Sequence, residues 1–268
     1  MLLARLAQSS ARILARRLAA TLFEQRCTVC GKVHPRNEQR DQPVCPDCLA
    51  HLQPRTGGYC PACGEPFADP ALPLSLCGLC LKEPPPWISL TTCGIHEGLL
   101  RELVLRAKFR HDLPATRCLG NFLAAQLLRC PDSPFNSSNS GQVLLVPMPL
   151  HSSRLRQRGN NQCMLLAAAL LAGLKRRLSP KNLPRIAPEA LVRTRVTPTQ
   201  RGLDRKSRQQ NVHHAFAASP VVSGRIILLL DDVLTTGATM RQATQTLLQA
   251  GALRVHCAAI ARAYLGAR

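Results

Sequence analysis

Residues 225–240 read R-I-I-L-L-L-D-D-V-L-T-T-G-A-T-M. An apolar run, Ile226 to Leu230, leads into two adjacent carboxylates, Asp231 and Asp232. Val233 and Leu234 follow, and then a short turn of Thr235, Thr236, Gly237, Ala238 and Thr239 opens a helix-like segment. Each part meets a need of one kind of ligand, a sugar carrying a phosphate. Carboxylates at the end of a strand accept hydrogen bonds from ribose hydroxyls. Hydroxyls and backbone N–H groups at a helix N-terminus hold a phosphate, and Gly237 lets the backbone approach it without a Cβ in the way. Taken singly, these residues would pass for an ordinary buried strand and a Thr-capped loop. Taken together they would not, because adjacent carboxylates on a buried strand repel each other and are costly to desolvate unless cations or hydroxyls answer them.

The chain on either side supplies alternating strands and helices. Residues 88–94 read as a strand. Residues 98–110 read as a helix, with Leu99, Leu100, Leu103, Val104 and Ala107 at helical spacing. A second helix is expected over 118–129, a strand over 143–146, and an Ala/Leu-rich helix over 161–174. Beyond the quoted strand come a helix over 239–250 and a last strand over 254–261. Such alternation predicts an α/β domain with a parallel, doubly wound sheet, and ligands bind such sheets at the carboxyl ends of strands. Residues 175–189, basic and Pro-containing, read as an exposed insertion, and 194–211 as a mobile basic loop.

Composition narrows the partners. The formal net charge of the 268 residues is +20, with a pI near 10.4. Beyond Asp132 there are four acids, Glu189, Asp204, Asp231 and Asp232, against 19 Lys and Arg. The Asp pair therefore sits in a strongly positive field that draws in anions, whether a polyphosphate or a nucleic-acid backbone. Aromatic residues make up 3% of the chain, which argues against base recognition on aromatic platforms. No apolar run approaches the roughly 20 residues that span a bilayer.

The first eight of 13 cysteines form four C-x-x-C pairs: Cys27/Cys30, Cys45/Cys48, Cys60/Cys63 and Cys77/Cys80. Two such pairs can give four thiolates to a tetrahedral zinc. The spacing leaves open whether pairs combine in sequence or crosswise, and one or two four-cysteine zinc sites follow. A disulfide framework fits poorly, because the chain shows no cleavable secretory signal; a cytoplasmic location is expected. Cys93, Cys118, Cys130, Cys163 and Cys257 read as small buried apolar residues.

Three regions are expected. Residues 1–26 form a basic amphipathic helix with no acid before Glu24, suited to packing on the protein or to peripheral contact with an anionic membrane. Residues 27–82 form the zinc module. Glu83-Pro84-Pro85-Pro86 reads as a stiff linker, and 83–268 form the α/β domain.

Residues 229–239 resemble the phosphoribosyl pyrophosphate (PRPP) motif of type I phosphoribosyltransferases. Further segments resemble one family, the ComF-type proteins. These are the four C-x-x-C pairs, L-R-E-L-V-L-R-A-K-F-R at 100–110, V-P-M-P-L-H-S-S-R-L-R-Q-R-G at 146–159 with Asn161-Gln162, and T-P-T-Q-R-G-L-D-R-K-S-R-Q-Q-N at 197–211. One departure is Asn160, where the family usually has Phe. The resemblance implies a double zinc ribbon joined to a phosphoribosyltransferase-like domain that binds PRPP with Mg2+. It makes Asp231 and Asp232 the catalytic pair, holding ribose hydroxyls directly or through the metal, with Val233 to Thr239 around the 5′-phosphate. Arg154, Arg156 and Arg158 become candidates for the pyrophosphate, and Gln200, Arg208 and Asn211 for a hood loop. Arg205 belongs to the same loop, and Lys108 is a further phosphate candidate. If the protein is an enzyme, a nitrogen nucleophile displaces pyrophosphate at the anomeric carbon. The family is also associated with natural competence, so the alternative expectation is a non-enzymatic protein that handles single-stranded DNA.

Overall fold

The computed structural model of the chain describes residues 25–34, 44–136, 143–150, 161–194 and 215–264. They divide into two compact units, the first ending at His51 and the second beginning at Leu52. In the first, strands β1 (Gln25–Arg26) and β2 (Val33–His34) pair antiparallel. Between them Gly31, at φ 74°, donates its N–H to Cys27 O (2.9 Å) and closes a tight knuckle. Helix α1 (Pro46–Ala50) starts at Cys45, with Pro46 in the first turn, where its missing N–H costs nothing.

The second unit opens with a similar knuckle at Cys60–Gly64. Gly64, at φ 70°, donates to Cys60 O, and Cys60 N donates to Glu65 O. Helix α2 (Gly78–Lys82) starts at Cys77. Then come β3 (Leu90–Thr92), α3 (Gly98–Phe109), α4 (Leu113–Arg129), β4 (Val143–Pro147), α5 (Gln162–Lys175), β5 (Arg185–Ile186), β6 (Leu191–Arg193), β7 (Phe216–Ala218), β8 (Ile226–Leu234), α6 (Ala238–Gln249) and β9 (Arg254–Arg262). Five strands make a parallel sheet in the order β3–β9–β8–β4–β5. β6 and β7 form a separate antiparallel pair.

The expected α/β architecture is present. One reading changes: residues 175–189 are not simply an exposed insertion. Arg185 and Ile186 pair with Leu144 and Leu145 as the outermost strand, and Ala187 and Ala190 are fully buried. A two-residue strand between prolines has no periodicity to betray it. The strand before the Asp pair is also longer than expected, because β9 runs alongside it as far as Leu234, which faces Arg262.

Alternation along β8 sorts the core. Ile227 and Leu229 face a cluster that includes Met240, Ala243 and Leu247 of α6. Leu228 and Leu230 turn to the other face, which α4 and α5 cover with Leu123, Leu127, Leu170 and Leu174. These two helices approach very closely. A Cβ on Gly120 would lie 2.6 Å from both the carbonyl carbon and the Cβ of Ala169, and one on Gly173 would lie 2.9 Å from the Cβ of Ala124.

The order of the sheet fixes where a ligand can bind. From β4 the chain crosses through α5 to β5 on one side, and from β8 through α6 to β9 on the other. The crossovers diverge between β4 and β8, and that divergence opens a crevice beyond the carboxyl ends of the two strands.

Candidate ligand site and metal centres

β4 stops at Pro147, opposite Leu230, and Met148 N donates to Leu230 O (2.7 Å). β8 runs four residues further, so Asp231 and Asp232 stand beside the crevice where their neighbour strand has ended. A cavity of about 210 Å³ lies there. Its walls include Met148 to Leu150 beyond β4, Asn161 to Cys163 at the start of α5, Asp231 to Val233, Thr235 and Thr239. Asn161 shapes the entry to α5: its side chain accepts from Cys163 N (3.0 Å) and donates to Met148 O (3.3 Å).

The two carboxylates are held differently. Asp231 Oδ1 accepts from Asp232 N (2.8 Å) and from the Cys163 thiol (3.5 Å). Asp232 Oδ1 accepts from Val233 N (2.7 Å), and Lys108 Nζ of α3 lies 2.6 Å from Asp232 Oδ2. Burial, and then the charge of Asp232, push the Asp231 carboxyl up to about 7, against the pull of the Asp232 N–H and the Lys108 ammonium. Burial also drives the Cys163 thiol well above its usual range, so it stays a neutral donor. The pair is thus under-compensated at neutral pH. A divalent cation with a preference for oxygen ligands fits such a donor set.

Beyond β8 the chain turns into α6. Gly237 adopts φ 79° at the N-cap, and its carbonyl accepts from Arg241 N (2.8 Å). Nothing but Trp87 Cη2, at 3.9 Å, lies near where its Cβ would be, so the positive φ is what calls for glycine here. The hydroxyl of Thr236 accepts a long bond from Ala238 N (3.4 Å).

Of the sequence-predicted residues, Asp231, Asp232, Val233, Thr235 and Thr239 line this cavity with Lys108, whereas Leu234, Thr236, Gly237 and Ala238 line a separate cavity beside the second cysteine set. Arg154, Arg156, Arg158, Gln200, Arg205, Arg208 and Asn211 lie outside the described residues, as does the expected helix over 1–26 apart from its last two residues. Sequence reasoning missed Cys163 as the donor to Asp231. It also missed Arg193, which borders the same cavity. Asn161 enters the sequence reading only as part of the segment that resembles the ComF-type proteins.

The cysteines combine in sequence. The sulfurs of Cys27, Cys30, Cys45 and Cys48 all lie within 4.8 Å of one another, and so do those of Cys60, Cys63, Cys77 and Cys80. The Cys30–Cys45 and Cys63–Cys77 separations are both 3.7 Å, close to the edge of a tetrahedron with Zn–S bonds of about 2.3 Å. Cys27 falls to about 6: burial opposes ionisation, but backbone N–H groups of Cys30, Cys45 and Val29 aimed at the sulfur outweigh it. Burial holds Cys63 at about 11 and raises Cys80, an arrangement that favours ionisation only when a cation is present. Both sets fit zinc. Elemental analysis of the reduced protein is expected to give two zinc ions per chain, falling to one in Cys45→Ser; a metal-free native protein would refute both centres.

Among the described residues no helix is long and apolar enough to cross a membrane. Two family models match, a phosphoribosyl transferase domain over residues 166–265 and a double zinc ribbon domain over 18–81. The DNA utilization protein YhgH of Escherichia coli K12 is 34% identical over 199 residues, covering 73% of this chain and 80% of the relative. Competence protein F of Haemophilus influenzae is 31% identical over 90% of this chain and 98% of its own length. Competence protein ComFC of Bacillus subtilis is 28% identical over 79% and 80%. Among solved structures, glutamine PRPP amidotransferase from B. subtilis matches 55% of this chain and 26% of its own at 19% identity, with a TM-score of 0.33.

Proposed function

The chain belongs to the ComF family, and from that premise we propose that the crevice between β4 and β8 binds PRPP together with Mg2+. The observation that carries this reading is that Asp231, Asp232, Thr235 and Thr239 border one cavity at the divergence of the crossovers. Asp231 and Asp232 hold the ribose hydroxyls, directly or through the metal. The N–H groups and hydroxyls of the turn hold the 5′-phosphate. Bound Mg2+ would neutralise charge on the pyrophosphate and on the Asp pair. The neutral Cys163 thiol and the Asp232 N–H orient the Asp231 carboxylate, and Lys108 fixes Asp232. Transfer of the phosphoribosyl group to a nitrogen acceptor is the reaction such a site would support. Its protein contribution would be positioning and electrostatic stabilisation of the leaving group.

Calorimetric titration with PRPP and Mg2+ tests the site. The wild-type protein is expected to bind, and Asp231→Asn/Asp232→Asn is expected to lose at least a hundredfold in affinity. A wild-type protein that gives no heat would remove the assignment.

A second reading, single-stranded DNA handling, is favoured by the net charge of +20 and by the DNA utilization and competence proteins among the relatives. Steeply salt-dependent binding of an oligonucleotide that survives the double Asn substitution would support it. Pyrophosphate release from PRPP that the same substitution abolishes would support transfer chemistry.

A further inference from the structure

We infer that Arg262 is a positioning residue, through which the second cysteine centre holds the Leu234–Gly237 turn in its ligand-competent shape. Arg262 ends β9 after the apolar run Cys257 to Ala261, and it is 4% exposed. Its guanidinium is almost fully engaged. Nε donates to Cys63 O (3.0 Å), and Nη1 donates to Leu234 O (3.1 Å) and Ala263 O (3.2 Å). Nη2 pairs with the Glu65 carboxylate. One planar group thus joins the backbone of a metal-ligand cysteine to the last residue of β8, immediately before the Thr235–Thr239 turn.

A second link runs in parallel. The Trp87 indole N–H donates to Ala62 O (2.8 Å), the residue just before Cys63. The far edge of the same indole faces Gly237, 3.9 Å from where a Cβ on that residue would lie, and Arg241 of α6 lies over the ring (6.0 Å) and donates to Pro84 O and Glu83 O. The carbonyls of Ala62 and Cys63 are therefore both tied down. Each tie reaches a different end of the turn: Arg262 at Leu234, Trp87 at Gly237. Cys63, Cys77 and Cys80 line one cavity together with Thr236 and Gly237.

The Cys60–Gly64 knuckle is short, and Gly64 gives it backbone freedom. Four sulfurs converging on one zinc fix its carbonyls; without the metal those carbonyls lose their geometry, and the two ties lose their anchor. Zinc at this centre then acts at a distance on the phosphate turn, as a rigid support rather than a participant. The ligand arm of this inference rests on the reading of the turn given above; the structural arm does not.

The test is amide hydrogen exchange on the full-length, zinc-loaded protein. Arg262→Gln/Glu65→Gln removes both charges of the buried pair together, and Trp87→Phe removes the indole donor while keeping a ring. Both variants are expected to retain two zinc ions per chain and the wild-type circular dichroism, yet to exchange amides at 234–241 at least tenfold faster. Cys77→Ser, with one zinc ion lost, is expected to show the same acceleration. Affinity for PRPP with Mg2+ should weaken about tenfold in each variant. Unchanged exchange at 234–241 in Arg262→Gln/Glu65→Gln and in Trp87→Phe overturns the inference; should the first fail to fold, Trp87→Phe alone decides it. Accelerated exchange in a protein whose wild type does not bind PRPP keeps the coupling and discards the ligand reading. Tight PRPP binding with unaltered exchange does the reverse.

Discussion

Lys108→Met is expected to lower the urea midpoint steeply above pH 7 and much less near pH 5. The ammonium sits 2.6 Å from Asp232 Oδ2, with 24% and 17% of the two side chains exposed, so solvent screens the pair only in part. Its removal leaves the Asp232 carboxylate without that cation, at a cost of about 2–4 kcal/mol at neutral pH, somewhat below that of breaking a fully buried pair. The pH dependence comes from Asp231. Its carboxyl titrates near 4 in the unfolded chain and at about 7 in the folded one, raised first by burial and then by Asp232. Between those values the folded state holds a proton that the unfolded state has released. The stability this proton contributes is fully present below about pH 4 and is lost as pH rises through 7. Lys108 is one of the groups that keep Asp231 from rising further. The methionine variant should therefore hold its proton to higher pH, and its destabilisation should shrink as Asp231 becomes protonated. Urea titrations from pH 5 to 8.5 measure this. Equal losses at both ends would show that Lys108 supports the site by packing alone.

Gly120→Leu is expected to prevent stable folding of the sheet-bearing unit. A Cβ at this position meets backbone at 2.6–2.7 Å, the Ala169 carbonyl carbon and Leu170 N, so no side-chain rotation relieves it. Separating α4 from α5 exposes the leucines that both helices lay on the sheet. Overpacking commonly costs about 1–3 kcal/mol, and here the cost should reach or pass the upper end, because the obstructing atoms are main chain. Gly120→Ala should show an intermediate loss. Gly78→Ala, where nothing lies within 4 Å, should change the stability by no more than about 0.5 kcal/mol. A Gly120→Leu protein with the wild-type midpoint would mean that the helix pair is looser than the structure shows.

The parts legible from sequence are those whose signal is local. The apolar run into Asp231-Asp232 and the T-T-G-A-T turn identified β8 and the start of α6. Helical spacing from Leu99 to Ala107 gave α3, and the C-x-x-C pairs gave the ligands of both cysteine centres. The illegible parts depend on what the fold brings from far away. Nothing near Lys108 announces that its ammonium will meet Asp232, and Cys163 in an Ala/Leu-rich helix looks like any small core residue. β5 is too short to have a period. The pairing order of the cysteines was open because sequential and crossed sets satisfy the same spacing, and only the two knuckles with their following helices settle it. An arginine ending a run such as Cys257 to Ala261 needs buried acceptors, but nothing in that run says that Cys63, Leu234 and Glu65 supply them for Arg262.

The register of β3 bears on how the polypeptide is made. Leu90 pairs with Cys257, and β9 is the one described strand that β3 bonds to. A ribosome therefore delivers the cysteine knuckles, Trp87 and the first strand of the sheet long before their partners. The knuckles close over short stretches of chain and can take up metal early, whereas β8 waits with an open flank until Arg254–Arg262 appears. Assembly of the sheet is deferred to that late segment, a high-contact-order step that is slow and exposed to aggregation. A product arrested before Arg254 would keep its zinc ligands and its Asp pair yet have no closed sheet, and so would be open to capture by chaperones and proteases.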